Sequence, residues 1–528
     1  MSMGVPSGGR TTGDGTPRTC ARGLLLAALV VLAASCGRGG AVPVASEQAP
    51  RAGGTLVYAL PSDPASVTPL GAAGDPAALA VERNVFAGLV DVDPHTLRVV
   101  PSIARSWSAS PDGRTFTFRL RAGVRFQRDA GAVTAATFVQ DWSLLCSPRF
   151  ADSSGSWVLA PIEGYAACRA GTGTLTGVRA AGPLTLVVHL SAPFQRFATV
   201  LADPATWAFP AAMVASPAGY AAFEAAPVGA GPFQVASWTH SDHGPGHAPI
   251  SGRLVLTRNP DYFGAPAHVR RVLMPVVDQG GPESAVARFR SGELDVLQVP
   301  PAEVTPVLAD PGFARRLVAY PLLEVEALVA PGGRPRGERV AVFRAAGPGQ
   351  VLRATTGRPA QPADGPVADG TPGYVPGTAQ PLSAAQARTP AAPVTVSGAS
   401  PPLRPLADGV VSVLHGARIR ARLVRSGGYT VESLRAPYPS PDAFLTQLLP
   451  SAGAPVRSLI GAARAAPQPG RGDALYAEAG RRLVAEAVFH PVGFAQAELL
   501  VAPRVRGLEW DGVAGPHLAG AWLTGSSG

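Results

Sequence analysis

The chain reads as an α/β protein on three observations. Thr115–Arg121 alternates strictly, with Phe116, Phe118 and Leu120 on one side and Thr115, Thr117, Arg119 and Arg121 on the other. That is the pattern of a half-buried strand. Thr55–Leu60 is a continuous apolar run of strand length between Gly53-Gly54 and Pro61, which predicts a strand buried on both faces. Ala135–Leu145 and Asp473–Phe489 repeat apolar residues at helical spacing, behind Thr134 and Asp473 as N-caps. With 528 residues, the chain is long enough for two or three domains.

The N-terminus reads as a targeting segment. Arg10, Arg18 and Arg22 precede an apolar run, Gly23–Ala34, that is shorter than the roughly 20 residues a spanning helix needs. Ala33-Ala34-Ser35-Cys36 follows and resembles a bacterial lipobox, with Ala33 where leucine is usual. Residues 1–35 are then a signal peptide, Cys36 the lipidated residue and 36–52 a tether. Ordinary cleavage near Ser35 is the alternative. In an exported protein, Cys146 and Cys168 are a disulfide candidate, against two free buried thiols.

Asn84–Leu89 predicts a helix end with Gly88 as its cap. Turns follow at Asp93–Thr96 and Ser110–Gly113. Leu184–Leu190 is a buried strand after the Gly182-Pro183 turn. Strands are expected at Phe233–Trp238 and Arg253–Thr257, joined by a hairpin loop. That loop holds His240, His243 and His247, weak metal candidates that read first as solvated loop residues. Glu283–Ser291 predicts a helix and Leu294–Val299 a strand. Between about 332 and 406 Pro, Gly and Ala dominate and periodicity is poor, so 330–430 is expected to be irregular. Leu499–Trp522 predicts short strands and turns.

The order of certain pieces is more specific than any one motif. N-V-F-x-G-L-V from Asn84 precedes Asp93-Pro94-His95-Thr96, then V-P-S-I-A-x-S-W from Val100, then S-x-D-G-x-T-F-T-F-x-L-R-x-G-V-x-F from Ser110. Pro227-Val228-Gly229-Ala230-Gly231-Pro232-Phe233, Arg258-Asn259-Pro260-Asp261-Tyr262-Phe263 and Phe289-Arg290-Ser291-Gly292-Glu293-Leu294-Asp295 follow. Together they resemble the extracellular solute-binding proteins, family 5, of peptide- and nickel-type ABC importers. The resemblance implies a two-lobed periplasmic-binding-protein-like fold with an inserted subdomain in the first lobe. Lobe I would comprise 53–80, 178–277 and 500–526, the insert 81–177, and lobe II 278–499.

It further implies capture of a peptide or similar small solute in an interlobe cleft and delivery to an ABC permease. The protein would sit on the extracytoplasmic face of the cell membrane, held by its lipid anchor. Leu60, Ser62, Asn84, Leu434, Arg435 and Tyr438 would border the ligand. Where peptide-binding members carry an amine-anchoring aspartate this chain has Pro437, and where they carry a stacking tryptophan it has Leu434. Arg435 could receive an anionic group or be solvated.

No enzyme motif is present: no G-x-S-x-G, no H-E-x-x-H and no metal-spaced cysteines. The chain has no lysine, which excludes a P-loop lysine and Schiff-base chemistry. The formal charge of +9 rests on scattered arginines, so no nucleic-acid partner is expected; no cofactor is expected either. Two rival readings are a lipoprotein that lost ligand capture and acts as a partner-binding or signalling module, and a secreted hydrolase with an unrecognised site.

Overall fold

A computed structural model of the chain describes residues 49–71, 74–150, 155–242, 252–277, 284–355 and 360–525. The signal segment, Cys36, His243 and His247 lie outside the described residues.

The first strand, Thr55–Val57, pairs in parallel with Arg271–Pro275. Arg253–Arg258 and Phe233–Thr239 complete a four-stranded sheet. A second four-stranded antiparallel sheet joins Ala104–Ala109, Thr115–Leu120, Thr185–His189 and Val178–Gly182. It runs across residue 177, where the sequence places the edge of the inserted subdomain. Phe116, Phe118 and Leu120 are buried, as their alternation predicts. The helix Ala135–Leu145 has the expected bounds and opens on a capping box between Thr134 and Thr137. Phe138, Trp142 and Leu145 are buried along it, and Trp142 donates to the Thr206 carbonyl at 3.0 Å. Cys146 and Cys168 are joined as a disulfide, with Cα atoms 5.8 Å apart.

The second lobe is organised by two thirteen-residue strands, Leu317–Val329 and Phe489–Val501, which pair antiparallel. Sequence reading identified neither. Each carries an internal proline and a buried glutamate, Pro321 with Glu326 and Pro491 with Glu498, which hide the apolar pattern. Val296–Gln298 and Ala360–Pro362 pair with Phe489–Val501. Tyr429–Arg435, Val394–Gly398 and Ala421–Leu423 extend the sheet beyond Leu317–Val329.

Residues 330–430 are more regular than their composition predicts. They form the helices Arg336–Ala345, Pro348–Ala354 and Arg404–Gly416, which pack with the neighbouring strands into a separate apolar core around Phe343, Val351, Leu406 and Tyr429. Proline opens rather than breaks two of these helices. Pro348 and Pro405 sit in the first turn, where the missing N–H costs nothing. Two boundaries also move. The helix Pro76–Val85 ends at Phe86, whose backbone is extended; Gly88 lies beyond it and packs on Trp207, where a Cβ would stand 2.4 Å from Cδ1. The helix expected to start behind Asp473 runs Pro469–Ala485, so Asp473 lies within it and pairs instead with Arg196 at 2.7 Å.

The C-terminal segment returns to the first lobe. Asn84 donates to the Ala80 and Pro516 carbonyls, both at 2.9 Å, and accepts from Leu518 N–H at 3.0 Å.

Candidate functional site

Between the lobes lies a cavity of about 600 Å³, within the range of small-molecule sites. One wall comes from the start and inner face of the helix Pro76–Val85, with Leu79 and Glu82, and from Trp157 and the Asp203–Ala205 turn. The facing wall comes from the second lobe: Glu324, Ser433 and Arg435 on paired strands, Pro437 after them, and Gln496 and Glu498 on the long strand. Strand geometry explains part of this lining. Ser433 and Arg435 are two residues apart and share a face, so Leu434 between them turns into the core.

Each of the six residues expected to border the ligand has a definite place. Arg435 is on the cavity wall and donates to the Val513 carbonyl at 3.2 Å. The side chains of Leu60, Asn84 and Leu434 are buried away from it. Ser62 is exposed in the loop after the first strand. Tyr438 borders a smaller cavity of about 300 Å³ together with Trp157, Phe194 and Arg464. Its hydroxyl donates to Asp442 at 3.0 Å, and Arg464 grips the same buried carboxylate with two bonds of 2.8 and 2.9 Å. His240 pairs with Asp63 at 3.2 Å and packs on Trp238.

The residues that sequence reading missed are acids. Burial pushes the Asp203 carboxyl up to about 7, although its Oδ1 accepts the Ala205 N–H at 2.8 Å. Burial, then repulsion from Asp203 and Asp75, raises Glu82 well above the usual carboxylate range. One sequence signal was available for Glu82: an acid directly after the apolar run Ala77–Val81 of a helix. For Asp203 it was the Asp-Pro pair that opens a short helical turn. Neighbouring Arg83 faces elsewhere. It is buried with Asp91 at 2.6 Å and Asp511 at 3.1 Å, and lies over the Trp207 ring. Burial opposes ionisation of Asp511, but Arg83 and His517 more than offset it and hold that carboxyl well below its ordinary range.

Two α/β lobes enclosing a cavity are the architecture of the periplasmic-binding-protein-like folds. The profile of the bacterial extracellular solute-binding proteins, family 5 Middle, matches residues 98–392, more than half of the chain. The chain belongs to that family. It is 28% identical over 249 residues to the probable deoxycholate-binding periplasmic protein YgiS of Escherichia coli K12, covering 46% of this chain and 43% of that protein. It is 29% identical over 223 residues to the periplasmic oligopeptide-binding protein OppA of the same organism, covering 41% and 38%. The chain thus spans less than half the length of these curated relatives in the matched stretches. The fold superposes on Haemophilus influenzae OppA in complex with RPPGFSPFR with a TM-score of 0.70 at 18% identity, covering 89% of this chain and 98% of that one.

Proposed function

We propose that this protein is the extracytoplasmic capture component of an ABC importer, binding a peptide-like small solute between its lobes and handing it to a membrane permease. The observation that carries the reading is the cavity of about 600 Å³ walled from both lobes. Such a cavity is what a receptor needs in order to bury most of a small ligand on closure. The names of related proteins, oligopeptide-binding and deoxycholate-binding among them, support a soluble organic ligand. Its role is binding rather than catalysis.

In this reading Cys36 carries the lipid that holds the protein at the membrane, each buried CH₂ contributing about 0.8 kcal/mol. Among the described residues no helix is long and apolar enough to cross a membrane. Contacts such as Arg196 with Asp473 and the Pro469 carbonyl, both at 2.7 Å, hold the first lobe against the second.

The test is mass spectrometry of the purified full chain, native and then denatured. A stoichiometric small solute released on denaturation supports the reading. A protein that carries no solute and shows no thermal shift with peptide pools refutes it. Cys36→Ser is expected to move the protein from the membrane fraction to the soluble fraction; unchanged partitioning refutes the lipid anchor.

A further inference from the structure

The charged side chains on the cavity wall are unequal in sign: Glu82, Asp203, Glu324 and Glu498 face a single guanidinium, Arg435. Several have partners already. Glu324 accepts from the Ser433 hydroxyl, Asp203 from Ala205 N–H, and Arg435 donates to a backbone carbonyl. Glu82 is different. It is 1% exposed, and its Oε1 has no hydrogen-bond partner. The adjacent cation cannot supply one, because Arg83 is committed to Asp91 and Asp511. Asp203 lies close enough for its charge to act on Glu82. A buried carboxylate without a partner is strongly disfavoured, so a site that keeps one beside a second acid is arranged for a positive charge to arrive.

We propose that the cavity takes a solute bearing an ammonium or comparable organic cation, and that Glu82 and Asp203 receive the positive charge. This rests on the reading of the cavity as a capture site. An organic cation fits better than a metal ion on two counts. The volume far exceeds one ion, and among the described residues no three acids, histidines or cysteines are grouped to hold a metal. Trp157 lines the same wall, and aromatic rings attract organic cations.

The experiment is calorimetric titration of the purified full chain with four probes: trialanine, N-acetyl-trialanine, cadaverine and glutarate. Ammonium-bearing probes are expected to bind, and acetylation to weaken trialanine by about tenfold or more. Glu82→Gln and Asp203→Asn are each expected to weaken the ammonium probes by about ten- to a hundredfold, while binding of acetylated peptide is unchanged. Thermal melts and circular dichroism of both variants show that they are folded. That selective loss separates charge recognition from a structural role, which would affect every probe alike. Equal or tighter binding of the acetylated or anionic probe, or wild-type affinity in both variants, overturns the assignment and leaves solute capture standing. If no probe binds, the solute released by denaturation decides: a cationic one supports the assignment and a neutral or anionic one overturns it. If no solute is released either, both the assignment and the capture reading fall.

Discussion

Asp203→Asn measures how strongly the cleft disfavours its own carboxyl. The folded protein holds Asp203 at about 7, against an ordinary value of 3.8. The difference is about three units at about 1.4 kcal/mol each, so at most about 4 kcal/mol. The unfolded chain releases the proton near the ordinary value, whereas the folded chain keeps it until about 7. Stability from this group is therefore fully present below the ordinary carboxyl range and is lost as pH rises through about 7. Asparagine removes the titration yet can still accept the Ala205 N–H, since it caps as well as aspartate does. It also removes the repulsion that Asp203 exerts on Glu82. Variant and wild type should therefore match at about pH 4, and the variant should gain up to about 4 kcal/mol by about pH 8. Urea unfolding of the full chain across that range, in the absence of ligand, reads the gap. A gap independent of pH, or a variant less stable at the alkaline end, would refute the reasoning.

Three further perturbations test the frame around the cleft. Reducing the Cys146–Cys168 bond opens a loop with a sequence separation of 22, and unfolding with and without a phosphine reductant should differ by about 3 kcal/mol. Asp442→Ala strips a fully buried carboxylate from Arg464, Tyr438 and Tyr476. Because the Arg464 side chain is 24% exposed, the loss in urea unfolding should be near about 3 kcal/mol, the low end for a broken buried pair. At Gly229 a Cβ would stand 2.1 Å from the Val85 carbonyl oxygen, so Gly229→Ala should lower stability by about 1–3 kcal/mol; an unchanged melting temperature would contradict that close approach.

The first lobe was largely legible in the sequence because its signals are local. Strict alternation at Thr115–Arg121, the N-cap at Thr134 and the turn at Ser110–Gly113 each involve residues close in sequence. At Gly229 and Gly231 a Cβ would meet the Val85 backbone at 2.1 and 2.6 Å, which is why glycine stands at both positions of that segment. Gln127 is buried there, donating to the Phe233 carbonyl at 2.7 Å and accepting from Gly229 N–H at 3.2 Å. The second lobe was harder to read because its central strands pair residues far apart in sequence, and their prolines and buried acids break the apolar period. Its short helices begin at prolines, which a reader of local propensity takes as stops. The cleft was least legible. Leu434 and Tyr438 were placed by position in a motif, but a cavity wall is chosen by strand parity and by the meeting of distant segments. Glu82 and Asp203, 121 positions apart by their numbers, reach one wall only through the fold.

The three residues Glu82, Arg83 and Asn84 show how that wall is held. Successive helical residues point about 100° apart, so they reach three different surroundings. Glu82 reaches the cavity, Arg83 the buried acids Asp91 and Asp511, and Asn84 the backbone of the C-terminal return. Asp511 is itself fixed by the N–H groups of Val513 and Ala514, and Val513 lines the same cavity. The Arg83–Asp511 pair therefore joins the helix that carries Glu82 to a loop on the same cavity. A carboxylate that lacks a partner of its own would otherwise be free to move the helix end toward water. Clamping the next two residues to the last strands of the chain removes that escape. The geometry of the unpartnered acid is thus maintained by its neighbours, and its unfavourable burial is available to be offset by whatever charge enters the cleft.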